Sequence, residues 1–199
     1  MKDLVILVCG LAGSGKSTLA DHLARELNLK CVHTSDVLRQ LKEKKASDVD
    51  AFATKMQTGF WETKASQQFN AERLKDLSLD RKLDSELLRI IDAGNVVMDS
   101  WTMPWLSKKG FKIWLNVSDA VRFARIASRD GIPLEKAREA SQKKESQTRA
   151  IYRKAYGFDF KEDESVFHFV LDTSNLNETE VLDAAVKKIV EAKKNGFFV

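Results

Sequence analysis

Residues 10–17 read GLAGSGKS, and no other stretch leaves the backbone so few options. It follows Leu4 to Cys9, a continuous apolar and β-branched run of the kind expected for a strand buried on both faces of a parallel sheet. After it, Leu19, Leu23 and Leu27, with Ala20 and Ala24 beside them, recur at helical spacing. Strand, glycine-rich turn and helix therefore follow one another within about 25 residues. The run matches the pattern GxxxxGK[ST] in the context its mechanism needs, with glycines that let successive N–H groups turn inward onto phosphate oxygens and a helix start that adds its positive dipole end.

The loop assigns roles by position. The backbone of Gly10, Leu11, Ala12, Gly13, Ser14 and Gly15 forms the cradle, Lys16 reaches the β and γ phosphates of ATP, Ser17 places its hydroxyl on Mg²⁺, and Thr18 helps hold the α phosphate. A second carboxylate-bearing strand end supports this. Val96, Val97 and Met98 lead into Asp99, where a carboxylate can hold a magnesium water beside the loop.

The remaining pattern is alternating strand and helix. Cys31–Thr34 reads as a short second strand, with Ser35 and Asp36 as N-caps of the helix that follows. Residues 48–92 are charged, Gln-rich and free of Pro, which predicts a helical excursion. Phe111, Ile113, Leu115 and Val117 mark a fourth strand, and Ser118 caps a helix carrying Arg122, Arg125 and Arg129. Gly131-Ile132-Pro133 ends that helix and starts a basic one reaching about Tyr156. Val166–Leu171 is the fifth strand, and Asn177 with Glu180 resembles a capping box for a last helix. The fold class expected is α/β, a doubly wound five-stranded parallel sheet with ligands at the carboxyl ends of its strands.

A chain of 199 residues, 43% hydrophobic, suits one domain. Its 33 Lys and Arg against 29 Asp and Glu leave a net charge of +4 spread among mixed charges, so a nucleic-acid coating role is not expected. No run approaches the roughly 18 apolar residues of a membrane span, and the expectation is a cytoplasmic monomer. Cys9 and Cys31 are read as core cysteines, His22 as a surface side chain, and the three histidines show no metal-ligand spacing.

Taken together these motifs resemble the nucleoside monophosphate kinases, most closely the archaeal-type cytidylate kinases, over residues 4–45 and 78–192. Besides the phosphate loop, the resemblance is carried by SDVLR at 35–39, LDRKLD at 79–84, RIASR at 125–129, YRKAYG at 152–157 and LDTS at 171–174. It implies Mg²⁺–ATP-dependent phosphoryl transfer to CMP or dCMP in a single domain, with a helical acceptor-binding insertion at 36–92 and a basic lid at 130–157. Ser35, Asp36, Arg39, Asp80, Asp84 and Trp101 would then face the acceptor. Arg125, Arg129, Arg149 and Arg153 would join Lys16 in neutralising the transferring group, and Thr173 would lie near the adenine. Trp101 stands where the family has an acceptor-phosphate arginine, Gln142 and Lys144 stand for its paired lid arginines, and Ile151 replaces another. Two other readings therefore stay open: a kinase of the same fold acting on another small hydroxyl acceptor, and a nucleotide-binding module acting on RNA or protein.

Overall fold

The computed structural model describes residues 3–43, 64–159 and 163–198. Five strands, β1 (Val5–Gly10), β2 (Lys30–His33), β3 (Val96–Asp99), β4 (Phe111–Asn116) and β5 (Phe169–Asp172), form one sheet in the order β2-β3-β1-β4-β5. Every strand pairing is parallel. With β1 in the centre and its neighbours reached from both sides, the connections part above its carboxyl end and open a crevice there.

The alternation of β1 explains the two cores. Leu4, Ile6 and Val8 pack with Leu19, Leu23, Val181, Ala185 and Ile189, the apolar stripes of α1 (Lys16–Glu26) and the C-terminal helix (Glu178–Lys194). Val5 and Leu7 point the other way, onto Val37 and Leu38 of α2 (Thr34–Glu43), Phe69 of α3 (Lys64–Lys75), Leu83, Leu87 and Ile91 of α4 (Ser78–Asp92), and Met103 of the short α5 (Met103–Leu106). A two-residue side-chain period on the strand thus faces a 3.6-residue period on the helices of each layer.

The helical excursion is observed over 64–92, and the part of it that includes Phe60 and Trp61 lies outside the described residues. Helix α6 (Asp119–Asp130) starts on Ser118, whose hydroxyl accepts from the Val121 N–H, and stops at Gly131 in the left-handed conformation (φ 65°). Pro133 is the N-cap, not the first-turn residue, of α7 (Leu134–Tyr156). The capping box of Asn177 and Glu180 is present at the start of α8 (Glu178–Lys194). Helix α2 begins one residue before the expected caps: Thr34 opens it and spends its hydroxyl on the Asp99 carbonyl at 2.8 Å, which leaves Ser35 and Asp36 inside the first turn. Among the described residues no helix is long and apolar enough to cross a membrane.

Candidate active site

Strand register brings the first charged groups together. Val8 pairs with Asp99 across β1 and β3, and Asp99 pairs with His33 across β3 and β2, so the three ends lie in one row. Beyond β1, Gly13 (φ 80°) and Gly15 (φ 88°) hold the loop in the left-handed region. At Gly13 a Cβ would stand 2.5 Å from the Arg122 carbonyl oxygen, so the loop is pressed against α6. At Gly15, the N-cap of α1, a Cβ would meet nothing within 4 Å: here the glycine serves the backbone turn and leaves the space above the helix N-terminus open.

Ser17 donates its hydroxyl to Asp99 Oδ2, joining the two residues predicted to serve Mg²⁺. Burial acts to raise the Asp99 pKa, but hydrogen bonds from His33 and Ser17 and the charge of Lys16 hold it below the usual carboxylate range. His33 was not singled out from the sequence. Its Nδ1 lies 3.2 Å from Asp99 Oδ1 and its Nε2 3.2 Å from Asp21 Oδ1, and bonding to Asp99, opposed by burial, raises its pKa to about 9. The missed signal was strand parity: a histidine at the end of β2 abuts whichever residue ends β3.

A cavity of about 460 Å³ opens from the loop between α1, α6 and α8. Gly13, Ser14, Gly15, Thr18, Arg125, Arg129 and Thr173 all line it, so seven of the residues expected on the ATP side converge. Arg125 donates to the Thr173 carbonyl at 3.2 Å, while Thr173, 1% exposed, is itself held to the Asn116 carbonyl at 3.1 Å through its hydroxyl. His22 lines the same cavity, correcting its reading as a plain surface residue.

The expected lid cations divide. Arg129 pairs with Asp130 at 2.7 Å. Arg149 and Arg153 both turn to the buried Asp159 and so stand apart from the cavity that Arg125 and Arg129 line. Arg122 is 1% exposed and bonds Glu145 at 2.6 and 3.2 Å and Asp119 at 2.7 Å, clamping α6 to the middle of α7. Lys144 and Lys16 share an aromatic neighbour: their ammonium groups lie 4.9 and 5.6 Å from the centre of the Trp101 indole. Burial, then repulsion from Lys16 and Arg129, lowers the Lys144 pKa to about 7, and burial lowers that of Lys16 against the pull of Asp99. Trp101 thus sits beside the loop lysine. Ile151, where the family has an arginine, is fully buried.

On the acceptor side, Asp80 is 1% exposed and its carboxylate is taken by Arg73, which also bonds Asn70 at 3.1 Å. Asp84 accepts from the Tyr152 hydroxyl at 3.1 Å and the Tyr156 hydroxyl at 2.9 Å. The Arg39 side chain lies outside the described part of the chain. Burial raises the Asp84 pKa to about 6, with the two tyrosines opposing and Asp80 adding to the rise. Because the folded state holds that proton more tightly than the unfolded chain does, the Asp84 contribution falls as pH rises from about 4 through 6. Asp84→Asn is expected to gain ~1–3 kcal/mol over the native protein at pH 7 and little at pH 4. Urea denaturation at the two pH values measures the difference, and a pH-independent gap would refute the assignment to this carboxyl.

The comparisons with known proteins agree with the geometry. The model of the cytidylate kinase-like family matches residues 5–175. The cytidylate kinase of Sulfurisphaera tokodaii is 31% identical over 195 residues, 96% of each chain. The cytidylate kinase of Pyrococcus horikoshii is 32% identical over 189 residues, covering 94% of this chain and 88% of that one. Among solved structures, the shikimate kinase of Acinetobacter baumannii, in complex with shikimate, superposes with a TM-score of 0.55 at 15% identity over 96% of this chain and 95% of that one, a likeness of fold alone. A phosphate loop backed by a strand-end carboxylate, in a chain matched along nearly its whole length, leaves one conclusion: this protein belongs to the cytidylate kinase-like family.

Proposed function

We propose that the protein transfers the γ-phosphoryl group of ATP to CMP or dCMP with Mg²⁺. The observation that carries the reading is the Ser17–Asp99 pair set beside Lys16, in the same loop and helix start whose Gly13, Ser14, Gly15 and Thr18 line a cavity with Arg125, Arg129 and Thr173. The residues fit the groups they would hold. Nothing stands over Gly15, and Ser14 Oγ is buried with no hydrogen-bond partner among the described residues, so the cradle keeps both space and polar capacity. Ser17 and Asp99 would hold Mg²⁺, the backbone of residues 10–15 with Lys16 and Thr18 would hold the phosphates, and Arg125, Arg129 and Thr173 would bound the nucleoside half. When bound, Mg²⁺ neutralises charge on the β and γ phosphates.

The chain's own part is positioning. Lys16, half-buried at the helix start, supplies a cation whose field on a phosphate is screened by water less than that of a fully exposed lysine. On the acceptor side, Trp101, Asp84 and the first turn of α2, with Ser35 and Asp36, would enclose CMP, and residues 130–157 would act as the lid. In this reading the negative charge of a phosphate bound near Lys144 would raise its pKa from about 7 and favour the charged ammonium.

Release of ADP, followed with CMP, dCMP, other nucleotides, nucleosides, sugars and RNA in turn, tests the proposal. Stimulation by CMP or dCMP above the rest is the expected result. The indole of Trp101, within 5.6 Å of the Lys16 and Lys144 ammonium groups, favours a second reading, an acceptor that presents a flat or apolar face rather than a phosphate dianion. Turnover stimulated only by a non-phosphorylated hydroxyl compound would establish that reading, and hydrolysis indifferent to every small acceptor would establish a nucleotide-binding module.

A further inference from the structure

Behind the Mg²⁺ carboxylate lies a cluster that the phosphoryl-transfer reading does not use. Cys31 and His33 are two residues apart on β2 and so project to the same face of the sheet, where Asp21 of α1 covers them. Asp21 Oδ1, Cys31 Sγ and His33 Nε2 all lie within 4.8 Å of one another. The individual spacings are 3.6 Å from Sγ to Nε2 and 3.2 Å from Nε2 to Oδ1.

These two spacings match edges of a tetrahedral site. Bond lengths of ~2.3 Å to sulfur and ~2.0–2.1 Å to nitrogen and oxygen, at the tetrahedral angle, place S and N about 3.6 Å apart and N and O about 3.3 Å apart. A thiolate, an imidazole and a carboxylate form the donor set that zinc accepts and that hard cations such as Mg²⁺ disfavour. The other ring nitrogen of His33 lies 3.2 Å from Asp99 Oδ1, an arrangement in which a carboxylate orients a metal-bound histidine and fixes its tautomer. Asp21 is partly exposed, which leaves a water-accessible side for a fourth ligand.

We propose that Asp21, Cys31 and His33 form a three-residue site for a divalent metal of the zinc class, separate from the Mg²⁺ position and joined to it through His33 and Asp99. On binding, the Cys31 thiol and the His33 Nε2–H each release a proton to water, while Nδ1–H continues to donate to Asp99. The site is thus one imidazole ring from the carboxylate that serves the phosphate loop. Its occupant would fix that carboxylate from behind without touching the nucleotide.

Cobalt(II) reports on the site independently of activity, through the charge-transfer absorption of a thiolate–cobalt bond and the strong visible bands of tetrahedral coordination. The full chain, stripped of metal, is titrated with Co²⁺ and then with Zn²⁺. The expected result is both sets of bands at one equivalent, displaced by Zn²⁺, abolished in Cys31→Ser and weakened at least tenfold in affinity by Asp21→Asn. Cys31 and Asp21 are both partly exposed, and circular dichroism checks that each variant folds. In Cys9→Ser the bands are expected to persist. Loss of the thiolate band in Cys9→Ser, its survival in Cys31→Ser, or octahedral bands without a thiolate component would overturn the proposal. Because none of these signals depends on an acceptor, their outcome is separate from that of the kinase assay.

Discussion

Lys16→Ala is expected to lower kcat/KM for ADP release by at least 10²–10³, about 2.7–4 kcal/mol of transition-state stabilisation. The lysine stands at the start of α1 beside Asp99, in the loop that turns the phosphate-facing backbone inward, and no other residue occupies that position. Removing it takes away little core volume. It also relieves the repulsion that lowers the Lys144 pKa, so Lys144 is expected to titrate higher in the variant. Steady-state kinetics, with thermal melts to show an intact fold, decide the matter. More than a tenth of native turnover in a folded variant would show that Lys144 or Arg129 can do the work of Lys16.

The second large effect concerns stability. Glu145→Ala strands Arg122, whose guanidinium is almost wholly shielded from water and keeps, among the described residues, Asp119 at its edge and the Phe123 ring at 4.1 Å. Breaking a buried ion pair by removing one partner costs ~3–5 kcal/mol, whereas replacing both partners with apolar side chains is often neutral. Glu145→Ala should therefore lose several kcal/mol in urea denaturation, and Arg122→Met with Glu145→Leu should recover most of it. Nucleotide affinity is expected to suffer as well. The Arg122 backbone presses against Gly13, so loosening α6 loosens the phosphate loop. A loss under 1 kcal/mol in the single variant would mean that Arg122 finds water or another acceptor on opening.

Together these effects describe a site with two kinds of support. The phosphate loop is closely packed at two of its glycines: an added Cβ would meet Ser14 and the Leu115 carbonyl at Gly10, and Arg122 at Gly13. The helices on the other face of the sheet add ion pairs and hydrogen bonds to their apolar packing: Arg73 to Asp80, the tyrosines to Asp84, Lys154 to the Leu74 carbonyl at 2.7 Å.

The fold was legible in the chain because its signals are local. A buried strand, a glycine-rich turn and an amphipathic helix each write a period into a dozen residues, and GLAGSGKS needs nothing distant to form its turn. Asp99 was legible for the same reason, as a carboxylate after three apolar residues. The caps at Ser118, Gly131 and Asn177 act within four residues of themselves and were also readable. Residues 48–63, which carry part of the predicted insertion, lie outside the described residues.

What tertiary structure alone decided was which charges meet. Arg122, Arg125 and Arg129 look alike along one helix, yet the first is a buried strut against Glu145, the second bonds the Thr173 carbonyl, and the third pairs with Asp130. Arg149 and Arg153 are claimed by Asp159, and Asp80 by Arg73. Cys31, read as core, instead sits beside His33, which register sets against Asp99 across 66 residues of chain. The physical reason is range. Backbone preference and apolar periodicity act between neighbours in sequence, whereas an ion pair depends on distance in space and on the water excluded around it, and both exist only once the layers have packed.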